Sequence, residues 1–191
     1  MLFFIIFSTL TRTYTSLFSK LTDMIYYDIL PSPVGNLLLV ADDSGLKQIQ
    51  FDEGNQSNGI KPNWIKDSNK LKTVADQLIS YFANERTTFD VKLSPDGTAF
   101  QKQIWNQLLK IPYGKTCSYL DIALAINKPS ACRAIGMANS KNPIPIIIPC
   151  HRVIGKNGKL TGYAGGLSNK AKLLEIENID LTPSKDQYLL F

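Results

Sequence analysis

Pro149-Cys150-His151-Arg152 gathers the side-chain types needed for nucleophilic chemistry at sulfur: a thiol, the chain's only histidine and a cation. A free thiol, with a pKa of roughly 8.5, is only slightly ionised at neutral pH, and a neighbouring base or positive charge is expected to ionise it more readily. The thiolate is then the attacking species. Neighbours in an extended chain point to opposite faces, so Cys150 and His151 need a bridging water or a local turn to act together. Taken alone, the four residues read equally well as an inert buried cysteine beside an incidental histidine.

The other two cysteines, Cys117 and Cys132, lie at no paired spacing. Such a sparse, odd set argues against a disulfide framework and for a reducing compartment. One histidine and no C-x-x-C pair do not make a zinc site. No metal and no cofactor is expected. The net charge of +5 is segregated. From Thr98 to Asn178 eleven Lys/Arg face three acids, whereas from Met24 to Gly97 seven face ten. A basic second half suggests contact with a polyanion, since neutralisation of phosphates by Lys/Arg drives nucleic-acid binding. A solvated basic face with no partner is the alternative.

The elements that must position Cys150 follow from periodicity and breakers. Ile25 to Leu30, Asn36 to Ala41 and Leu46 to Phe51 read as short strands, with a hairpin turn at Asp43-Ser44-Gly45. Asp52 to Asn69 reads as loop. Leu71, Val74, Leu78, Ile79 and Phe82 recur at helical spacing, predicting a helix over Asn69 to Asn84, and Thr87 to Leu93 is a candidate further strand. Ser94-Pro95-Asp96-Gly97 marks a domain boundary. Beyond it, Thr98 is placed to cap a helix running to about Lys110. Two short helices, Ser118 to Ile126 and Ser130 to Asn139, flank the turn Asn127-Lys128-Pro129 as a helix-turn-helix does. Three prolines between Asn142 and Pro149 argue for an extended, packed, rigid lead into Cys150. A last helix spans Asn169 to Asn178.

Residues 1–23 form a separate problem: an apolar start, then a segment rich in Ser and Thr with no acid before Asp23. The apolar run is too short to span a bilayer and lacks a preceding positive charge. It reads as a leader or extension, with a transit role open, ahead of a fold that begins at Met24.

Pro149-Cys150-His151-Arg152-Val153, preceded by Asn142-Pro143 and Pro145, resembles the active-site signature of the O6-alkylguanine-DNA alkyltransferases. Arg133-Ala134-Ile135-Gly136 is similar to the recognition-helix segment of that family, Ser118-Tyr119 to the start of its first helix, and Tyr163-Ala164-Gly165-Gly166-Leu167 to its pocket loop. The specific match runs from about Phe100 to Glu177.

The resemblance implies a small ribonuclease-H-like α/β domain over residues 24–94, followed over 95–191 by a helix-turn-helix-containing alkyltransferase domain. It implies that Cys150 attacks the alkyl carbon on guanine O6 and keeps it as a thioether, so that the protein acts once. His151 takes the role of base, reaching the thiol through a water. Glu177 orients it and is preferred to Glu175, while Asn142 ties the active-site turn. Arg133 would fill the gap left by a flipped nucleotide, with Ala134 and Gly136 allowing close approach to the minor groove. Tyr119, Val153, Tyr163, Ala164 and Pro145 would line the base pocket; Ala164 stands where some relatives have serine, which bears on pocket size.

The expected partner is double-stranded DNA carrying alkylated guanine, with alkylated thymine as a weaker substrate, bound by a monomer in the cytoplasm or nucleus with no membrane involved. Two other readings remain. A lesion-recognition relative without transfer activity would carry tryptophan in place of Cys150. A cysteine hydrolase would need an oxyanion-hole signature, and none is evident.

Overall fold

The computed structural model of the protein describes residues 24–51, 59–156 and 158–180. The expectation for residues 1–23 lies outside the described residues. The first half builds a four-stranded sheet ordered β3-β2-β1-β4, from β1 (Tyr26–Leu30), β2 (Leu37–Asp42), β3 (Gly45–Phe51) and β4 (Ile65–Lys66). β1, β2 and β3 form an antiparallel meander with an irregularity at Val40/Ala41, and β4 pairs parallel to β1. β2 is buried along nearly its whole length, so Leu37, Leu39 and Ala41 can face one side of the sheet and Leu38 and Val40 the other. The stretch read as loop therefore holds a short strand and, at Asp67, the cap of the next helix.

Helix α1 (Ser68–Phe82) starts where the Asp67 carboxylate accepts from the backbone of Asn69 and Lys70, both at 3.0 Å. Its buried face is Leu71, Val74, Gln77, Leu78 and Tyr81. Ile79, expected on that face, is 53% exposed, and Tyr81 takes the inward position. Thr87 to Leu93 forms no strand: it offers only an isolated bridge, Leu46 to Leu93, while Gln77 binds the backbone of Asp90 through both side-chain atoms. Side-chain hydrogen bonds here take the place of a ladder.

The second half opens with α2 (Ala99–Leu108), held by a reciprocal capping box between Thr98 and Gln101. A second capping box, Ser118 with Asp121, starts α3 (Tyr119–Ala125). A single 3-10 turn (Pro129–Ala131) leads into α4 (Cys132–Ser140), completing two short helices around a tight turn. The indole N–H of Trp105 donates to Ala138 O at 2.9 Å, fastening α2 to α4. Two-residue strands β5 (Cys117–Ser118) and β6 (Val153–Ile154) pair in parallel. That pairing joins the start of α3 to the residues just after Cys150. The last helix, α5 (Gly166–Ile176), starts three residues before its expected first residue and ends at Glu177 as its cap. Among the described residues no helix is long and apolar enough to cross a membrane.

Candidate active site

The segment from Asn142 to Pro149 is not the extended lead expected from its prolines. It is a compact turn in which Ile148 N–H reaches Ile144 O at 2.9 Å and Ile146 sits in the left-handed region at φ 76°. A β-branched residue rarely tolerates that conformation, so the surroundings must impose it. Asn142 supplies the constraint: its amide nitrogen donates to Ile148 O at 2.8 Å and its oxygen accepts from Ile144 N–H at 3.0 Å. Three prolines remove backbone donors that a strand would need, and the Asn142 side chain satisfies what remains. Pro145 is buried within this turn. From outside, Ile49 N–H of β3 donates to Pro143 O at 2.9 Å, so the sheet of the first half braces it.

Cys150–Arg152 then forms one 3-10 turn. The turn sends His151 and Arg152 to a common target, the carboxylate of Glu177. His151 Nε2 lies 2.8 Å from Oε1; Arg152 Nε donates to Oε2 at 2.8 Å and its terminal nitrogen to Oε1 at 2.9 Å. The Tyr81 hydroxyl also donates to Oε1, at 2.8 Å, and the Gly114 N–H to Oε2, at 3.2 Å. Glu177 is 1% exposed, whereas Glu175 faces solvent. Burial alone would raise the Glu177 pKa; hydrogen bonds and charge from His151 and Arg152 outweigh it and bring it down to about 2. The carboxylate is therefore ionised and can only accept.

That fixes the state of the imidazole. Burial pulls the His151 pKa below its ordinary value despite the bond to Glu177. A neutral ring facing an anion at Nε2 carries its proton there, which leaves the Nδ1 lone pair as the basic site. Nδ1 is buried and makes no hydrogen bond within the protein.

The thiol departs from the sequence expectation. Burial pushes Cys150 up to about 11, with Asn142 and Lys170 offsetting only part of the rise. Arg152 contributes little because its guanidinium is turned toward Glu177 and Ile111 O. Cys150 is thus a neutral thiol at rest, 3% exposed. Cys117 and Cys132 are also free, and burial holds Cys117 up at about 12.

Around the thiol, Val153 is fully buried, and the Tyr163 hydroxyl is buried near Cys150, which together with burial itself holds the phenol well above its usual range. Ala164 is exposed on the loop beyond. Tyr119 stands between this loop and α4. Its hydroxyl accepts from Thr161 Oγ1 at 3.2 Å, and a Cβ at Gly136 would lie 3.8 Å from its ring. Arg133 and Ala134 are exposed on α4. Two residues at the site escaped the sequence reading. Lys170, fully buried on α5, donates to Val153 O at 2.5 Å and Thr161 O at 3.0 Å, and burial lowers its pKa to about 8. The other is Tyr81, whose inward helical position was the only available signal.

Comparison with known proteins agrees over both halves. Residues 25–95 match the model of the 6-O-methylguanine DNA methyltransferase ribonuclease-like domain, and residues 99–179 that of its DNA-binding domain. The chain belongs to the 6-O-methylguanine DNA methyltransferase family. It is 50% identical over 157 residues to the methylated-DNA–protein-cysteine methyltransferase of Methanosarcina barkeri, covering 82% of this chain and 99% of the relative. Among solved structures, the Mycobacterium tuberculosis O6-methylguanine methyltransferase shares 46% identity at a TM-score of 0.73, over 81% of this chain and 93% of its own. The Mycobacterium tuberculosis OGT in complex with DNA is similar at 47% identity and a TM-score of 0.74, over 80% and 92% of the two chains.

Proposed function

We propose that this protein repairs DNA by moving the alkyl group of O6-alkylguanine onto Sγ of Cys150, once and irreversibly. The observation that carries this reading is the buried line Cys150, His151, Glu177, in which an ionised carboxylate holds the proton on Nε2 and leaves Nδ1 as the base. As the S–C bond forms, the C–O6 bond breaks, the thiol proton passes to Nδ1 through a water, and guanine leaves with the bonding pair on O6. The proton taken by His151 then returns through water to the leaving guanine, so that thiol and alkylated guanine become thioether and guanine with His151 neutral again. The product is a thioether, which no group here can cleave, so turnover stops at one event.

A neutral thiol suits this order of events. Ionisation is coupled to substrate arrival, because the proton acceptor is a neutral imidazole whose charged form is stabilised by Glu177. The buried thiol cannot reach a stacked base, so the nucleotide must be flipped out of the duplex. Arg133, exposed on α4, would occupy the vacated stack, and Ala134 and Gly136 would let the helix lie close in the minor groove. Tyr119, Val153, Tyr163, Ala164 and Pro145 would surround the flipped base. Alkylated thymine would be a poorer substrate of the same pocket.

The test is mass analysis of the full chain after incubation with a duplex containing one O6-methylguanine. A single added methylene on the peptide bearing Cys150, reaching one per protein and no further, is expected. Binding without a mass increase would favour lesion recognition alone, and release of the alkyl group to water would favour hydrolysis.

A further inference from the structure

The relay carboxylate is held from the other half of the protein. Tyr81 belongs to α1, packed on the first sheet, and is fully buried between Phe82, Phe89 and Tyr113. Its hydroxyl donates to the same Glu177 oxygen that receives His151 Nε2 and an Arg152 nitrogen. Oε1 thus carries three donors and Oε2 two. Burial first, and then the anionic Glu177, keep the phenol protonated far above its ordinary range, so it donates across the working pH range.

We infer that Tyr81 is a positioning residue for alkyl transfer, through which the N-terminal half sets the basicity of His151. The argument is one of competition. Donors on one oxygen share its negative charge, so each added donor weakens the stabilisation that Glu177 gives to a His151 imidazolium. Arg152 fixes the carboxylate plane by its two-nitrogen grip, which leaves Tyr81 to adjust charge rather than hold the rotamer alone. The groups facing His151 are Glu177 on the cap of α5, Arg152 and Cys150 on its own turn, and Lys170 on α5; Tyr113 faces Glu177 and Arg152.

The inference rests on the reading of His151 as the base. Tyr81→Phe keeps the ring and deletes one donor. Since His151 is the chain's only histidine, its ring signals titrate unambiguously by NMR in a protein purified without a histidine tag. The His151 pKa should rise by about half a unit to one unit, and the acidic limb of the single-turnover rate on O6-methylguanine duplex should move to higher pH by the same amount. Val74→Ala, on the same buried helix face but away from Glu177, should lower stability and leave both unchanged.

Coincident wild-type and Tyr81→Phe titrations, or an equal shift in Val74→Ala, would overturn the role of Tyr81. If His151→Ala keeps the wild-type acidic limb, the reading of His151 as base fails instead. Should Tyr81→Phe not fold, the wild type still decides the matter. The Tyr81 hydroxyl proton should exchange slowly and show a cross-relaxation peak to the His151 ring N–H, and rapid exchange with no such peak would refute the contact.

Discussion

Replacing Glu177 by Gln should cost stability by an amount that two independent routes estimate alike. An amide offers one acceptor and one donor, whereas Glu177 accepts five hydrogen bonds, from Tyr81, His151, Gly114 and twice from Arg152. Either amide orientation turns N–H groups toward a donor and leaves the buried Arg152 charge without its partner. Breaking a buried ion pair in this way costs roughly 3–5 kcal/mol.

The second route is proton linkage. A carboxyl whose pKa falls from 4.5 to about 2 on folding stabilises the native state above the unfolded value by about 3 kcal/mol, at ~1.4 kcal/mol per unit. The sign follows from the depressed value: the contribution is complete above pH 4.5 and is lost as pH falls toward 2. Urea unfolding of wild type and Glu177→Gln, followed by tryptophan fluorescence, should therefore differ by about 3 kcal/mol at pH 7, or roughly 6–12 °C in melting temperature. The gap should narrow by about 1 kcal/mol between pH 4.5 and 3.5. A variant within about 0.5 kcal/mol of wild type, with a gap independent of pH, would refute the buried-anion account, since that is the scale of an ordinary surface change.

Other outcomes follow from the same geometry. Cys150→Ala should abolish transfer while leaving duplex binding, read by fluorescence anisotropy, within about threefold of wild type, because the basic face and Arg133 are untouched. Arg133→Ala should slow repair of duplex far more than reaction with free O6-methylguanine, and equal losses would remove Arg133 from nucleotide flipping. In His151→Ala the rate should be strongly reduced at pH 7 and climb about tenfold per pH unit toward the thiol value near 11, where ionisation no longer needs a base; a flat profile would contradict this. Lys170→Met should leave Val153 O and Thr161 O without their donor and weaken the pocket loop, seen as faster amide exchange across residues 159–164.

What the sequence shows of this site is what short-range chemistry encodes. The helix cap at Thr98, the turn between α3 and α4 and the Pro149-Cys150-His151-Arg152 signature are local patterns, and the structure places the first two where their spacing does, whereas Ser118, read as the first helical residue, is the cap of α3. The failures are of another kind. Proline content implies extension at Asn142 to Pro149, but one side chain, Asn142, closes that segment into a turn. Two-residue spacing of Arg152 from Cys150 suggests an ionised thiol, whereas a 3-10 turn carries the guanidinium to Glu177 and burial decides the thiol. Tyr81 was hidden because its partner lies 96 residues away. Lys170 was hidden because a lysine on a helix reads as solvated until its neighbours are known.

The charges explain why the site holds its thiol neutral. Before reaction, Glu177 and Arg152 cancel and His151 and Cys150 are uncharged; Lys170 is the cation among these groups that favours a thiolate, and it offsets only part of the effect of burial. A permanent thiolate there would be open to oxidation and to any passing electrophile, a serious liability for a group proposed to act once. Transfer changes the balance at the moment it is useful. On the proposed mechanism the thiol proton would make His151 cationic as guanine takes on negative charge at O6, so that the site would become positive as the leaving group becomes negative. Glu177 cannot absorb that proton, because hydrogen bonds and Arg152 hold its pKa near 2. On the proposed mechanism the positive charge would stay on the imidazole rather than migrate to the carboxylate and be neutralised there. On this argument Arg152 acts on the reaction through Glu177. Arg152→Met should let the carboxylate pKa rise and that of His151 with it, moving the acidic limb of transfer to higher pH, and carboxylate titration by infrared difference spectroscopy should show Glu177 moving upward. A Glu177 band that stays in place in that variant would mean that His151, Tyr81 and Gly114 alone keep the carboxylate ionised.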